Sequence, residues 1–248
     1  GNISSLRAYG QWQHFFGRKW KMNTGLNATY TSVNDEFVVE PRLSMKYNFT
    51  PAQSLSFGYG LHSIMQPRMF YFIQALVDTA NLVYTQNNLN LKMTKSHQLV
   101  VAYDHVFSED FRFKSEAYYQ YLFDVPVSKT TPQFSLLNSG DSFTFLIGDS
   151  LVNKSVGYNY GLEVTLEKFF DGNYYFLTTL SLFESKYKGY DEVERNTSFN
   201  GNFVWNVLGG YEFKLGKHNS ISLSMRSVYA GGKRYIPIDL EKSIEQNF

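Results

Sequence analysis

Phe37-Val38-Val39-Glu40-Pro41-Arg42-Leu43-Ser44-Met45-Lys46-Tyr47-Asn48-Phe49 is the stretch that decides the fold of this chain. Its odd positions are apolar or aromatic throughout, while Val38, Glu40, Arg42, Ser44, Lys46 and Asn48 fill the even ones. Successive side chains of a strand point to opposite faces, so this segment has one dry face and one wet face. The same alternation recurs about ten times along the chain.

The pattern predicts strands over residues 6–16, 20–31, 37–49, 54–64, 95–107, 111–124, 158–170, 174–186, 203–215 and 220–229. At roughly 10–14 residues each, they are longer than the about 5–6 residues usual in soluble domains. A strand of about 14 residues rises about 46 Å and, tilted by about 40°, crosses a hydrocarbon layer about 30 Å thick. Connections of the first, third, fifth, seventh and ninth strands to their successors are tight and carry Gly17, Pro51, Asp110, Gly172, Asn173 and Gly216, residues suited to turns. On the other side the second and third strands are joined by a short link, and three longer links follow, 65–94, 125–157 and 187–202. All five tight turns therefore fall at one end. The predicted fold class is all-β, an antiparallel up-and-down transmembrane β-barrel, which has short turns at one rim and long loops at the other.

Aromatic residues, 18% of the chain, flank these turns: Phe15, Phe16, Trp20, Phe49, Phe107, Phe111, Phe169, Phe170, Tyr174, Tyr175 and Phe213. Rings with an apolar body and a polar or quadrupolar edge collect at the headgroup level, forming girdles around a lipid-facing band. Bulk composition hides this. Hydrophobic residues are 43% and the formal net charge is +1, because lipid-facing and lumen-facing positions cancel in the average. No run of about 18 apolar residues offers a membrane-spanning helix. The absence of cysteine excludes a disulfide framework, and the balanced charge gives no footprint for nucleic acid.

Catalytic patterns are lacking too. His14, His62, His97, His105 and His218 are dispersed, with no His-Glu-x-x-His, P-loop or dinucleotide fingerprint, and the neighbours Asp104 and His105 point to opposite strand faces. The expectation is no enzyme, no metal site and no cofactor.

Several strings occur in the order of one family: Glu40-Pro41-Arg42-Leu43, Lys46-Tyr47-Asn48-Phe49, Leu55-Ser56-Phe57-Gly58-Tyr59-Gly60-Leu61-His62-Ser63 and Tyr118-Tyr119-Gln120-Tyr121-Leu122-Phe123-Asp124. Asn159-Tyr160-Gly161-Leu162-Glu163-Val164, Arg195-Asn196-Thr197 and Tyr229-Ala230-Gly231-Gly232-Lys233-Arg234-Tyr235 continue the series. In these the chain resembles the β-barrel domain of TonB-dependent outer-membrane receptors of the Bacteroidetes type. The resemblance implies a 22-stranded barrel with a plugged lumen in a Gram-negative outer membrane, a nutrient or chelate as cargo, and coupling to an inner-membrane TonB complex through a plug domain. It also implies that residues 1–248 are a partial barrel, about ten strands of the larger one, since the family's plug domain and closing strand have no counterpart among these residues.

Physics gives the same alternatives from another direction. An open sheet leaves its first and last strands with unpaired backbone groups, so either the two edges meet in a small closed barrel or further strands fill the gap. A passive porin, or a structural or secretion-associated barrel that binds partner proteins, are the competing functions. Outer-membrane lipid is the partner common to all three, and nucleic acid is a partner of none.

Candidate residues follow from the alternation. Glu40, Arg42, Lys46, Arg112, Lys114, Glu116, Gln120, Glu163, Glu167, Glu212, Lys214 and Arg226 are expected to face the lumen, either as bridging groups that solvate the wall or as a substrate path. Recognition residues collect on loops held by rigid scaffolds. The apolar segment Met69-Phe70-Tyr71-Phe72-Ile73 behind Arg68, and the second long loop with Phe134, Leu136, Leu137, Phe143 and Phe145, are expected to cap the extracellular mouth. Arg68, Phe70, Tyr71, Phe72 and Phe143 are the ligand-binding candidates there, with packing within the rim or against a partner protein as the other use of such apolar loops.

Overall fold

The structure is a computed structural model and describes residues 3–78, 82–138 and 150–232. Its elements are β1 (Ser5–Phe16), β2 (Trp20–Thr31), β3 (Glu36–Thr50), β4 (Gln53–Ile64), α1 (Arg68–Tyr71), β5 (Ala75–Asp78), β6 (Val83–Thr85), β7 (Thr94–Ser108) and β8 (Phe111–Ser128). A 3-10 turn at Leu136–Asn138 follows, then β9 (Leu151–Asp171), β10 (Tyr174–Lys188), β11 (Glu194–Asn196), β12 (Phe203–Leu215) and β13 (Asn219–Ala230). Ten long strands form one antiparallel sheet in the order β1-β2-β3-β4-β7-β8-β9-β10-β12-β13, each pairing with its successor among the long strands. This is the predicted up-and-down meander, and it is not closed. Among the described residues β1 pairs only with β2, and β13 only with β12.

Tight turns and long excursions alternate as the sequence implies. At the β9–β10 turn Gly172 and Asn173 both take positive φ, 63° and 77°, the two-residue geometry that matches the twist of a hairpin. Gly17 and Gly216 open the turns after β1 and β12 with φ of 66° and 73°. The links at the opposite end hold α1, the small β5–β6 hairpin, the 3-10 turn and β11.

The strands predicted at 111–124 and 158–170 are longer than expected. β8 continues to Ser128 and β9 begins at Leu151, so residues 125–128 and 151–157 are strand rather than loop. Asp124 followed by Val125-Pro126 reads as a stop signal. Instead Asp124 takes φ of 54° in a register shift, after which Val125, Pro126, Val127 and Ser128 pair with residues of β9. A proline is tolerated next to such a bulge.

No second sheet packs on the first among the described residues. The hydrophobic core is Phe70, Tyr71, Leu91 and Leu151, with Ile3, Val33, Met65, Phe72, Ile73, Phe134 and Leu136 packed around it. It lies among the long connections and takes from the sheet only Leu151, the first residue of β9.

Candidate functional site: the polar face and the loop cap

Directly paired residues of an antiparallel sheet share a face, so the register assigns every strand position. Glu40 stands opposite Asn27, Arg42 opposite Gly25 and Gly60, and Gly60 opposite Gln98. Gln98 pairs with Gln120 and Gln120 with Asn159; two and four positions along the same face, Glu116 pairs with Glu163 and Arg112 with Glu167. Across β10, β12 and β13, Glu212, Lys214 and Arg226 share this parity. All the charged and amide residues expected to face a lumen thus lie on one face. The same rule adds Arg7, Gln11, Asn23, Asn27, Gln98 and Asn159, which carry the same every-second-residue signal in β1, β2, β7 and β9.

Glu40 anchors this face near the long-loop end. It is 2% exposed, and its carboxylate accepts hydrogen bonds from the Ser63 hydroxyl at 2.6 Å, the Ser63 backbone N–H and Asn27 Nδ2. Arg42 stands 3.8 Å away. A buried carboxylate is tolerated because it has these donors. On β7 and β8, Arg112 pairs with Asp104 and Lys114 with Glu116 at 2.6 Å, while Glu163 accepts from Ser181 Oγ at 2.8 Å. A ladder of amides crosses between them, with Asn159 donating to Gln120 at 2.7 Å and Gln98 to Ser96 at 3.2 Å.

The opposite face is apolar and bare. Trp12, Leu26, Trp205, Leu182, Leu223 and Met225 are 44–67% exposed, and Tyr119 is 44% exposed. Soluble monomers do not leave so continuous an apolar surface open to water. Toward the tight-turn rim its rings touch: Trp20 and Tyr47 at 4.6 Å, Tyr47 and Phe49 at 4.9 Å, His105 and Phe107 at 4.0 Å, Tyr211 and Phe213 at 4.6 Å. Beside that rim Lys168 binds Asp110, and this bond holds the Asp110 carboxyl below the usual carboxylate range, assisted by Ser108 Oγ.

At the other end the long connections form a cap. Phe70 and Tyr71 are 2% and 1% exposed in its core, so these two ligand-binding candidates present no area to a ligand in this arrangement; packing takes their surface. Arg68 is exposed and stacks over the half-buried Phe72 ring at 5.7 Å. Phe143 lies outside the described residues. What sequence reasoning missed is the polar clasp under this core. Lys95 bridges Glu36 and Asp124 at 2.9 Å each, Glu36 accepts the Met93 N–H at 2.6 Å, and Asn34 donates to the Leu91 carbonyl at 2.8 Å. Asn88 accepts the Leu151 N–H and Asn153 the Lys92 N–H, each at 2.8 Å. These bonds pin residues 88–95 to β3, β8 and β9. In the last connection, Arg195 donates two bonds to Asp191, at 2.8 and 2.6 Å, which lower the Asp191 pKa below the ordinary carboxylate value.

One membrane-type face, one polar face and a capped rim are what a family comparison has to account for. The family model of the TonB dependent receptor-like β-barrel matches residues 1–239. The chain belongs to this family. Its TonB-dependent receptor fold is also seen in the ferric yersiniabactin uptake receptor FyuA of Yersinia pestis, with a TM-score of 0.64 at 11% identity over 92% of this chain and 34% of that one. The FrpB iron transporter of Neisseria meningitidis (F3-3 variant) gives 0.62 at 13% over 92% and 33%, and the ferric-catecholate import receptor Fiu of K12 E. coli 0.63 at 9% over 90% and 34%. No curated protein matches by sequence. The chain spans about a third of the length of these solved structures. TonB-dependent receptors are outer-membrane proteins of Gram-negative bacteria.

Proposed function

We propose that this chain is wall and loop cap of a receptor that imports a nutrient or chelate across the outer membrane, driven by a TonB complex acting through a plug domain. The observation that carries the reading is the register, which sorts the charged and amide side chains of the middle of the wall onto one face and the tryptophans onto the other, while charged residues sharing the tryptophan face, such as Lys95, Lys168, Glu184 and Lys186, lie toward the strand ends. The polar face is the lumen wall and the work is transport rather than catalysis. Glu40, Arg42, Lys46, Lys114, Glu116, Gln120 and Glu163 line that lumen, and Arg68 with Phe72 offers the cap's contact to cargo or to an extracellular partner protein. The solved relatives named for iron and ferric chelates support a metal chelate as one cargo class. The motif strings favour the Bacteroidetes type.

The test compares cells that produce the receptor with cells that also lack the energy-coupling complex, following depletion of solutes from the medium by mass spectrometry. Import predicts a solute depleted only in the coupled strain. Steady conductance of the purified receptor in planar bilayers in KCl, with no coupled depletion, would establish a porin instead.

A further inference from the structure

The five tight turns differ in charge. Gly17-Arg18-Lys19 between β1 and β2 holds two cations and no acid, and Pro51-Ala52 between β3 and β4 holds neither. Glu109-Asp110 joins β7 to β8, Gly172-Asn173 follows Asp171 at the end of β9, and Gly216-Lys217-His218 joins β12 to β13. Asp110 is taken by Lys168. Arg18 and Lys19 are exposed and form no ion pair among the described residues. The acidic β7–β8 turn stands four strand positions along the sheet, roughly 19 Å away and beyond the Debye length of about 8 Å in physiological salt. The first hairpin therefore keeps a positive field of its own.

Next to these cations the apolar face is aromatic. Phe16 and Trp20, which flank the turn, pair with each other, and Trp20 pairs with Tyr47. The rings of Trp20 and Phe49 lie 4.6 and 4.9 Å from that of Tyr47. Phe16, Trp20 and Phe49 are 42–50% exposed. The Trp205 indole N–H donates to Thr178 Oγ1 at 2.9 Å, but that of Trp20 has no acceptor among the described residues. Lys21 belongs to the other face, where its Nζ stands 5.6 Å from the centre of the Phe15 ring.

An occupant of this corner must bring negative charge to Arg18 and Lys19, an acceptor to the Trp20 indole and apolar bulk to the rings. A dissolved anion leaves the rings bare. A zwitterionic lipid covers them but sets its own cation beside the other two. An anionic phospholipid meets all three demands, with phosphate oxygens for the donors and acyl chains for the rings.

We propose that the β1–β2 corner binds an anionic phospholipid of the inner leaflet, its headgroup phosphate held by Arg18 and Lys19, an oxygen accepting from Trp20 Nε1–H, and its chains lying on Phe16, Tyr47 and Phe49. The proposal rests on the reading of this chain as the wall of an outer-membrane barrel, whose tight turns lie at the periplasmic rim. It adds that one hairpin of the wall selects its lipid.

The test uses the full receptor in vesicles of phosphatidylcholine with a minor share of phosphatidylglycerol, the acyl chains of one lipid or the other being brominated. The difference in emission between the receptor and its Trp20→Phe variant isolates Trp20. Brominated phosphatidylglycerol is expected to quench it far beyond its share of the bilayer, a preference of about thirtyfold at low salt, since each cation near anionic lipid contributes about fivefold. The preference should shrink as salt rises. Arg18→Gln combined with Lys19→Gln should bring it close to unity, whereas Glu109→Gln should leave it unchanged. Heat-modifiable gel mobility reports that each variant is folded. Quenching in proportion to bulk composition overturns the proposal and leaves the wall reading standing, as does a preference that survives the double change. Emission indifferent to both brominated lipids overturns it as well and shows that protein covers the corner. No readout involves cargo, so failure here is distinct from failure of the depletion assay.

Discussion

Glu40 shows how one residue supports the wall. Three donors converge on a carboxylate removed from water, so Glu40→Ala leaves Asn27 and Ser63 with unmet groups and is expected to destabilise the folded barrel by about 1–3 kcal/mol. Glu40→Gln, which keeps an acceptor, should cost less, and the comparison is read as the urea midpoint of refolded protein. Asp191 behaves differently because it titrates in water. Its pKa is lowered in the fold, chiefly by the hydrogen bonds from Arg195, so the pairing stabilises the loop above the pKa of a free carboxylate. That contribution is lost as pH falls through the depressed value. Amide protection in residues 189–202, taken as exchange relative to the intrinsic rate at each pH, should therefore fall on acidification below the usual carboxylate range, and Asp191→Asn should remove that fall. At this scale the sequence told which side Glu40 faces, since period-two alternation needs only neighbours. It did not tell that Ser63 would close over it, because that contact depends on how β3 and β4 end.

Among the elements, the ten long strands were legible and the cap was not. The strands alternate because each must satisfy lipid on one side and water on the other, a constraint written into every second residue. Loops obey no such period. The burial of Phe70 and Tyr71 depends on Leu91 and Leu151, distant in the chain, and the extension of β8 and β9 past Asp124 depends on a bulge that reads locally as a terminus. The cap's design yields its own expectation. Tyr71→Ala removes a ring that is 1% exposed, and such core truncations cost about 3–5 kcal/mol. The loss falls on residues 65–93, so limited proteolysis should cut there while the strands stay protected. Lys95→Met should have a related but smaller effect, releasing Glu36 and Asp124 from their shared cation.

For the molecule as a whole, the two faces make a prediction that needs no knowledge of cargo. Trp12, Trp20 and Trp205 are the chain's only tryptophans, and the register puts all three on the apolar face. Reconstitution of the receptor into bilayers of brominated phosphatidylcholine should quench the emission of these three, as shown by the difference from a variant with all three changed to Phe. Retention of their emission would mean that the face is covered by protein. The fold class and the shared face of the charged wall residues followed from the sequence, because alternation is local; which residues meet across strands did not, because that appears only when strands distant in the chain are set side by side.

The separate dry nucleus of Phe70, Tyr71, Leu91 and Leu151 has a thermodynamic consequence. Leu151 of β9 apart, it belongs to connections beyond the wall, so it is governed by hydration and melts like a small soluble domain, while the wall is governed by its own surroundings. Calorimetry should accordingly resolve two endotherms, a lower one for the lid of connections and a higher one for the sheet. A scan fitted as a single all-or-none event would give a midpoint describing neither.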